Sequence, residues 1–404
     1  MLSHYDIRRK IMSRPTERTG VSRRDFLAAS MVTAVAAQGV LIQAADASAD
    51  ASADISADDS AGDLLNPPSV LHQTDLFHPH GDPDDHFDLA TLFALHKRGD
   101  LCAAGLILDY PPEHRRGDPA VAAVAQMNRF CASAVPAVVG AKPQMKALGD
   151  SMPELPFEET AAIQFILDRL AQATEKTAIT CVGSATDIAV ASLRNPELFR
   201  DKCAAVLLDA GAAFADPDHP ETLEWNVRLN PLAYATLFSL PCPLKWYPCW
   251  DIVERRVSGE WGTFYWLEHA EAFDGISDRL KNFFAYMFEE TASPLWLKKL
   301  DEKIDDNRWG KILADKRGMW STASLLDAAN LAVTRDGDIA AVGEIAPADT
   351  LYRMENVAVT CSADGRTEWK ESSEPTGVTM FHLLAPELYP AAMTRAVHTL
   401  LKEF

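Results

Sequence analysis

From Val70 onward, short apolar runs alternate with apolar residues at helical spacing, and this alternation constrains the fold more than any other feature. Residues 70–74 read as a strand ending in a turn-rich loop. Leu89, Leu92 and Phe93 then recur at the i, i+3, i+4 spacing of a helix face. The pattern continues through strand 102–108, helix 118–132, strand 135–139 and an amphipathic helix marked by Ile163, Ile166, Leu167 and Leu170. Strand 177–182, helix 188–193, strand 204–208, helix 231–238 and strand 244–247 follow. Strands separated by such helices predict an α/β fold: a mostly parallel, open, Rossmann-like sheet flanked by helices. Ligands of these sheets bind beyond the carboxyl ends of the strands. Residues 252–318 read as a mostly helical, aromatic-rich insertion covering the site; strands 357–361 and 378–383 and helix 386–401 close the chain.

The amino terminus has a different character. Ser22-Arg23-Arg24-Asp25-Phe26-Leu27, followed by the mildly apolar residues 28–44, reads as a twin-arginine export signal. Ala45-Asp46-Ala47 offers a small-x-small cleavage site. Gln38, Gly39 and Gln43 interrupt the apolar stretch, leaving it too weak for a stable membrane span. The expected organisation is a signal peptide over 1–47, a disordered Ala-Ser-Ala-Asp-rich linker over 48–66, and one folded body over 67–404. Such a chain is expected in the periplasm or secreted, with the twin-arginine machinery as a partner.

Charge narrows the function. The formal net charge is −20, yet residues 1–47 carry seven Lys/Arg against four Asp/Glu, so the remainder stands near −23. A body that acidic repels phosphate backbones and argues against nucleic-acid binding, while suiting bound cations. The seven cysteines are scattered without a C-x-x-C pair, which reads as free buried thiols. One bridge, Cys242 to Cys249, stays open after export.

The chemistry concentrates in Gln73-Thr74-Asp75 and Asp82-Pro83-Asp84-Asp85. Four carboxylates within eleven residues repel one another unless a cation sits among them, or unless the loop is simply solvated. An oxygen-only donor set of this kind suits a hard cation such as Ca²⁺ or Mg²⁺.

Four motifs in order then carry a resemblance. The loop itself is similar to D-T-D-P-G-x-D-D, with residues 76–80 inserted. Val135-Pro136-Ala137-Val138-Val139-Gly140-Ala141-Lys142-Pro143 is similar to I-P-V-x-x-G-A-x-x-P-L. Gly183-Ser184-Ala185-Thr186-Asp187-Ile188-Ala189-Val190-Ala191 echoes G-P-L-T-N-I-A-L-A, and Glu224-Trp225-Asn226 with Asn230-Pro231 echoes E-F-N-x-x-x-D-P. Together they resemble the inosine–uridine-preferring nucleoside hydrolases. The resemblance implies a metal-dependent hydrolase that cleaves the N-glycosidic bond of a nucleoside or related small riboside, with calcium as cofactor. It implies that Asp75, Asp85, the Thr186 carbonyl and Asp327 ligate the metal, and that Asp84 takes a proton from a metal-bound water. Glu224 and Asn226 would hold the sugar hydroxyls, and Asp109 would stand where the family binds ribose.

Three departures accompany the resemblance. Gln73 replaces the family's first Asp, the loop is longer by five residues, and Leu326 stands where purine-directed members carry a His as leaving-group acid. His78, His80 and His86 lie near enough in sequence to substitute for that acid. Trp246, Trp250, Trp261 and Trp266 could stack on a base, although aromatic residues at helical spacing more often fill cores. Two other readings remain: a non-catalytic sugar- or nucleoside-binding protein that keeps the metal site, and a hydrolase of another glycoside. Family members are often homo-oligomers, and the sequence leaves that open.

Overall fold

A strand buried on both faces sends alternate residues into two different cores, and Ser69–Thr74 (β1) does so: Val70 packs into one hydrophobic cluster and Leu71 into another. The computed structural model describes residues 66–79, 84–253, 259–289 and 291–404. The expected signal, nearly all of the linker, and His80 and Asp82 of the acidic loop lie outside the described residues.

β1 pairs in parallel with Cys102–Leu108 (β2), which pairs with Ala137–Val139 (β3). On its other side β1 pairs in parallel with Thr177–Val182 (β4), then follow Cys203–Asp209 (β5) and Leu244–Tyr247 (β6). The C-terminal strands are Tyr352–Cys361 (β7), Thr367–Glu371 (β8) and Val378–Leu383 (β9). They extend the sheet to nine strands in the order β8-β7-β9-β6-β5-β4-β1-β2-β3. β9 joins β6 in parallel, whereas β7 runs antiparallel to both β9 and β8. The mostly parallel α/β sheet is thus as expected, with an antiparallel ribbon at one edge.

Helices cover both faces. Asp84–Arg98 (α1), Val121–Cys131 (α2), Asp278–Met287 (α7), Thr322–Ala328 (α9) and Tyr389–Leu401 (α10) bury apolar residues in the first cluster. Ala161–Gln172 (α3), Thr186–Arg194 (α4) and Pro231–Leu237 (α6) bury theirs in the second. The short helix Trp225–Leu229 (α5) starts where Glu224 caps it, the Glu224 carboxylate accepting from the backbone N–H groups of Asn226 and Val227. Asn230 caps α6 in the same way through Ala233 N–H.

The region expected as a covering insertion is structurally mixed. It contains α7 and Asp306–Leu313 (α8), but also Tyr265–Glu268 paired antiparallel with Lys316–Met319. Tyr265, Phe273, Phe283 and Phe284 are buried in the first cluster, so most of this segment's aromatic surface builds core, as the spacing argument favours. Trp246 is fully buried, and Trp261 stacks on the His382 ring at 4.1 Å. The cysteines are free. Cys242 shares a hydrogen bond with Cys203, while Cys249 is buried beside Trp250 and Phe264; the expected Cys242–Cys249 pairing is not the contact the fold makes. Among the described residues, no helix is long and apolar enough to cross a membrane.

Candidate active site

Parallel strands all end on one edge of the sheet, and there they surround a cavity of about 520 Å³. Asp75 enters it immediately after β1, Val182 ends β4, Asp209 ends β5, and Cys249 follows β6. The first turn of α1 contributes Asp84 and Asp85, and one turn further on Asp88. Glu224, Trp225, Asn226 and Arg228 come from α5 and its cap. The remaining wall is Arg115, Trp250, Phe264, Trp266 and the stretch from Lys316 to Ser321, less Met319.

The floor is held by specific bonds. Thr74 Oγ1 donates to Asp85 Oδ1 at 2.7 Å, and Trp225 Nε1 donates to Asp75 Oδ2 at 2.8 Å. Ser321 Oγ donates to Asp88 Oδ2, and Ser324 Oγ to Asp209 Oδ2. The other carboxyl oxygens of Asp88 and Asp209 are buried with no hydrogen-bond partner. Glu224 accepts from Gly211 N–H at 2.9 Å besides capping α5, and Asn226 Nδ2 donates to the Asp209 carbonyl at 2.8 Å. Gly183 makes this packing feasible: a Cβ there would strike Asp109 Oδ2 and the backbone of Thr74 and Asp75.

Burial and mutual repulsion raise the acids. Desolvation is the leading cause throughout. It pushes Asp75 to about 7 against the lowering bond from Trp225, and Asp88 to about 7. It holds Asp85 well above the usual carboxylate range, with Asp75, Asp84 and Asp88 adding to the rise. Asp209 is likewise raised well above that range by burial. Such a floor retains protons near neutrality or draws in a cation.

Of the tryptophans weighed as stacking residues, Trp250 and Trp266 line this cavity; of the eight residues given metal, catalytic or sugar-binding roles, five meet there: Asp75, Asp84, Asp85, Glu224 and Asn226. Three do not line it. Asp109 is buried beneath the loop, accepting from Gln73 Nε2 at 2.9 Å and Ser184 N–H at 2.7 Å. Gln73 thereby serves as a neutral donor to Asp109 at the position where the resembled motif has its first Asp. Thr186 is buried at the start of α4, its hydroxyl accepting from Asn230 Nδ2 at 2.9 Å.

Asp327 requires a correction. It lies near the C-terminal end of α9, where Lys245 Nζ donates to both its oxygens at 2.8 Å and the Tyr247 hydroxyl donates as well. Leu326 beside it is fully buried in the core. The pair that this segment brings to the cavity is Trp320–Ser321, six residues earlier, because the amino-terminal end of α9 is the end that faces the site. Of the three histidines near the loop, His80 lies outside the described residues, and the other two supply no acid there. His78 bonds the Thr291 carbonyl at 2.9 Å and leans on Tyr286, and His86 is buried near Phe283; neither lines the cavity. Asp88, Asp209, Trp225 and Trp320 were not anticipated as site residues, although an Asp directly after a strand, as at 209, is where such sites collect.

The sequence profile of the inosine-uridine preferring nucleoside hydrolases matches residues 83–382. The chain belongs to that family. Among solved structures, the nucleoside hydrolase fold recurs in a plant nucleoside hydrolase with TM-score 0.51 and 13% identity, over 82% of this chain and 99% of that one. An effector protein aligns with TM-score 0.50 and 15% identity, over 84% and 94% of the two chains. The inosine-uridine preferring nucleoside hydrolase of Bacillus anthracis aligns with TM-score 0.45 and 16% identity, over 83% and 100%. No curated protein matches the sequence. The profile match begins after the inserted loop residues, so Asp75 joins this nucleoside hydrolase site by geometry alone.

The resemblance to this family implies a metal, and two features of the residues fit one. Carboxylate oxygens dominate the donors, with the Cys249 thiol beside them, and two of the buried carboxyl oxygens lack partners. As placed, among the described residues, no group of three or more His, Cys, Asp or Glu side chains is drawn together as a ligand set. The donor chemistry therefore suits a hard cation, and its arrival would have to pull the carboxylates inward.

Proposed function

We propose that this nucleoside hydrolase family member hydrolyses the N-glycosidic bond of a nucleoside or related riboside, with a hard divalent cation, calcium by the family resemblance, held by Asp75 and Asp85. The observation that carries the reading is the convergence of Asp75, Asp84, Asp85, Glu224 and Asn226 on one cavity at the strand ends. When bound, the cation would orient the sugar diol and acidify water. Asp84, half-buried at the start of α1 and lining the cavity, would accept the proton of the attacking water. The remaining carboxylates stabilise the oxocarbenium-like charge that develops on the sugar. Glu224 and the Asn226 side chain position the hydroxyls, held in place by their bonds to Gly211 and Asp209. Asp88 and Asp209, each with an unpartnered oxygen, are the further carboxylates available to the cation, in place of Asp327.

A second reading has its own support. Among the described residues no histidine lines the cavity, and Trp320 occupies the wall from which α9 begins, so none of those histidines is placed to protonate a leaving base. A protein that binds a riboside without turnover would need the carboxylates but no such acid, and fold likeness alone does not separate the two. Elemental analysis of the purified protein, followed by a screen of ribosides for free sugar, tests the choice. Bound calcium with sugar release supports the hydrolase; bound metal without release supports the binder. Work outside the cytoplasm is proposed from the Arg23-Arg24 motif alone, and loss of export on replacing both arginines by lysine would test it.

A further inference from the structure

Four cations line a cavity whose floor is acidic, in a chain of net charge −20: Arg115, Arg228, Lys316 and Arg317. Arg228 offsets the charge of Glu224, whereas the charges acting on Asp75, Asp85 and Asp209 are those of other carboxylates. Aromatic rings hold three of the cations in position. The Arg115 guanidinium lies 4.8 Å from the Trp225 ring centre, with Arg228 at 5.6 Å, and Lys316 Nζ lies 4.7 Å from Trp266. Such contacts use the ring faces and leave the Arg115 and Lys316 N–H groups available to a ligand. Arg115 is exposed and makes no ion pair among the described residues. Lys316 has one loose, exposed pair, with Glu268 at 3.9 Å.

We propose that the site takes a riboside bearing an anionic group, a phosphorylated nucleoside or sugar and not a neutral nucleoside, with Arg115 and Lys316 recognising the charge. This rests on the riboside reading above and names its substrate class. A phosphate offers about two negative charges and three acceptor oxygens at neutral pH, matched by the arginine fork and the lysine ammonium. A cavity of about 520 Å³ lies within the usual range of roughly 300–1,000 Å³ for small-molecule sites, leaving room for sugar, base and phosphate together.

Calorimetric titration of the calcium-supplemented protein with ribose and with ribose 5-phosphate tests the proposal. The phosphorylated sugar is expected to bind at least about tenfold more tightly at low ionic strength, and the advantage to shrink in about 0.5 M salt. In an Arg115→Gln/Lys316→Gln variant the ratio of the two affinities should fall towards one. Equal affinities in the unsubstituted protein, or a salt-independent advantage, would overturn the proposal even if that variant folds poorly. Uridine and uridine 5′-monophosphate then separate the two readings. A preference for ribose 5-phosphate with no sugar released from either compound sinks hydrolysis alone. Equal release from both, without that preference, sinks the anion proposal alone.

Discussion

The Trp225 indole N–H donates to Asp75 Oδ2 at 2.8 Å, joining the start of α5 to the end of β1 across 150 residues of sequence. The same ring carries the Arg115 and Arg228 guanidinium groups. One side chain thus fixes a floor carboxylate and seats two cations of the wall. Trp225→Phe keeps a ring and removes the donor. It should cost roughly 1–3 kcal/mol in denaturant unfolding, the range for a buried acceptor left unsatisfied. An unchanged midpoint would mean that Asp75 finds another partner at no cost.

Asp84 and Asp85 are adjacent but are given different tasks. Asp84→Asn should lower turnover by about 10²–10⁴-fold while leaving cation affinity nearly unchanged. Asp85→Ala should abolish cation binding, read by terbium luminescence, which needs no substrate. Full turnover in the first variant, or unaltered terbium binding in the second, would reverse the roles.

Asp327 distinguishes the geometry from the motif. Its oxygens are engaged by Lys245 and Tyr247, so Asp327→Asn should destabilise the fold by about 1–3 kcal/mol and leave cation affinity as it was. A lost cation with an intact unfolding midpoint would restore Asp327 to the metal shell.

His72 sets a pH dependence remote from the cavity. It is fully buried in β1, with Nδ1 hydrogen-bonded to Thr180 Oγ1 at 2.8 Å, and desolvation lowers it from 6.5 to about 4. The unfolded chain therefore takes up this proton near pH 6.5 while the folded protein resists until about 4. The contribution is fully present above 6.5 and is lost as pH falls towards 4, up to about 3 kcal/mol at the low end. The raised carboxylates act in the opposite sense, so the observable is the difference between proteins. His72→Gln should lose less stability than the unsubstituted protein between pH 7.5 and 4.5, measured by urea midpoints. Parallel profiles for the two would remove His72 from the account.

Much of the sheet was legible because strands covered on both faces read as nearly continuous apolar runs, as in 102–108 and, with two threonines, 177–182. β8 escaped notice for the converse reason. Thr367–Glu371 is an edge strand whose Glu and Lys side chains face water, so it carries no apolar signature. Its neighbour β7 was recognised only over its second half. In the site, Asp84 and Asp85 stood out as a charge run. Asp88 did not, since one Asp in an apolar helix resembles a stray polar residue until the helix is seen to border a cavity. The apolar run of β5 ends at Leu208, one position short of Asp209, so the strand's last residue carries no signal of its own. The error at Asp327 came from matching a lone Asp in an Ala-rich segment, where nothing in the sequence states which end of the helix faces the ligand.

Gly183 carries a consequence for how this chain can vary. With hydrogen as its only side chain, the end of β4 passes within contact of Asp109 and the Thr74–Asp75 backbone. One methyl there would act as a wedge, prising the buried Gln73–Asp109 layer from the cavity floor above it. Substitution at this position would therefore shift ligand geometry without touching a single ligand.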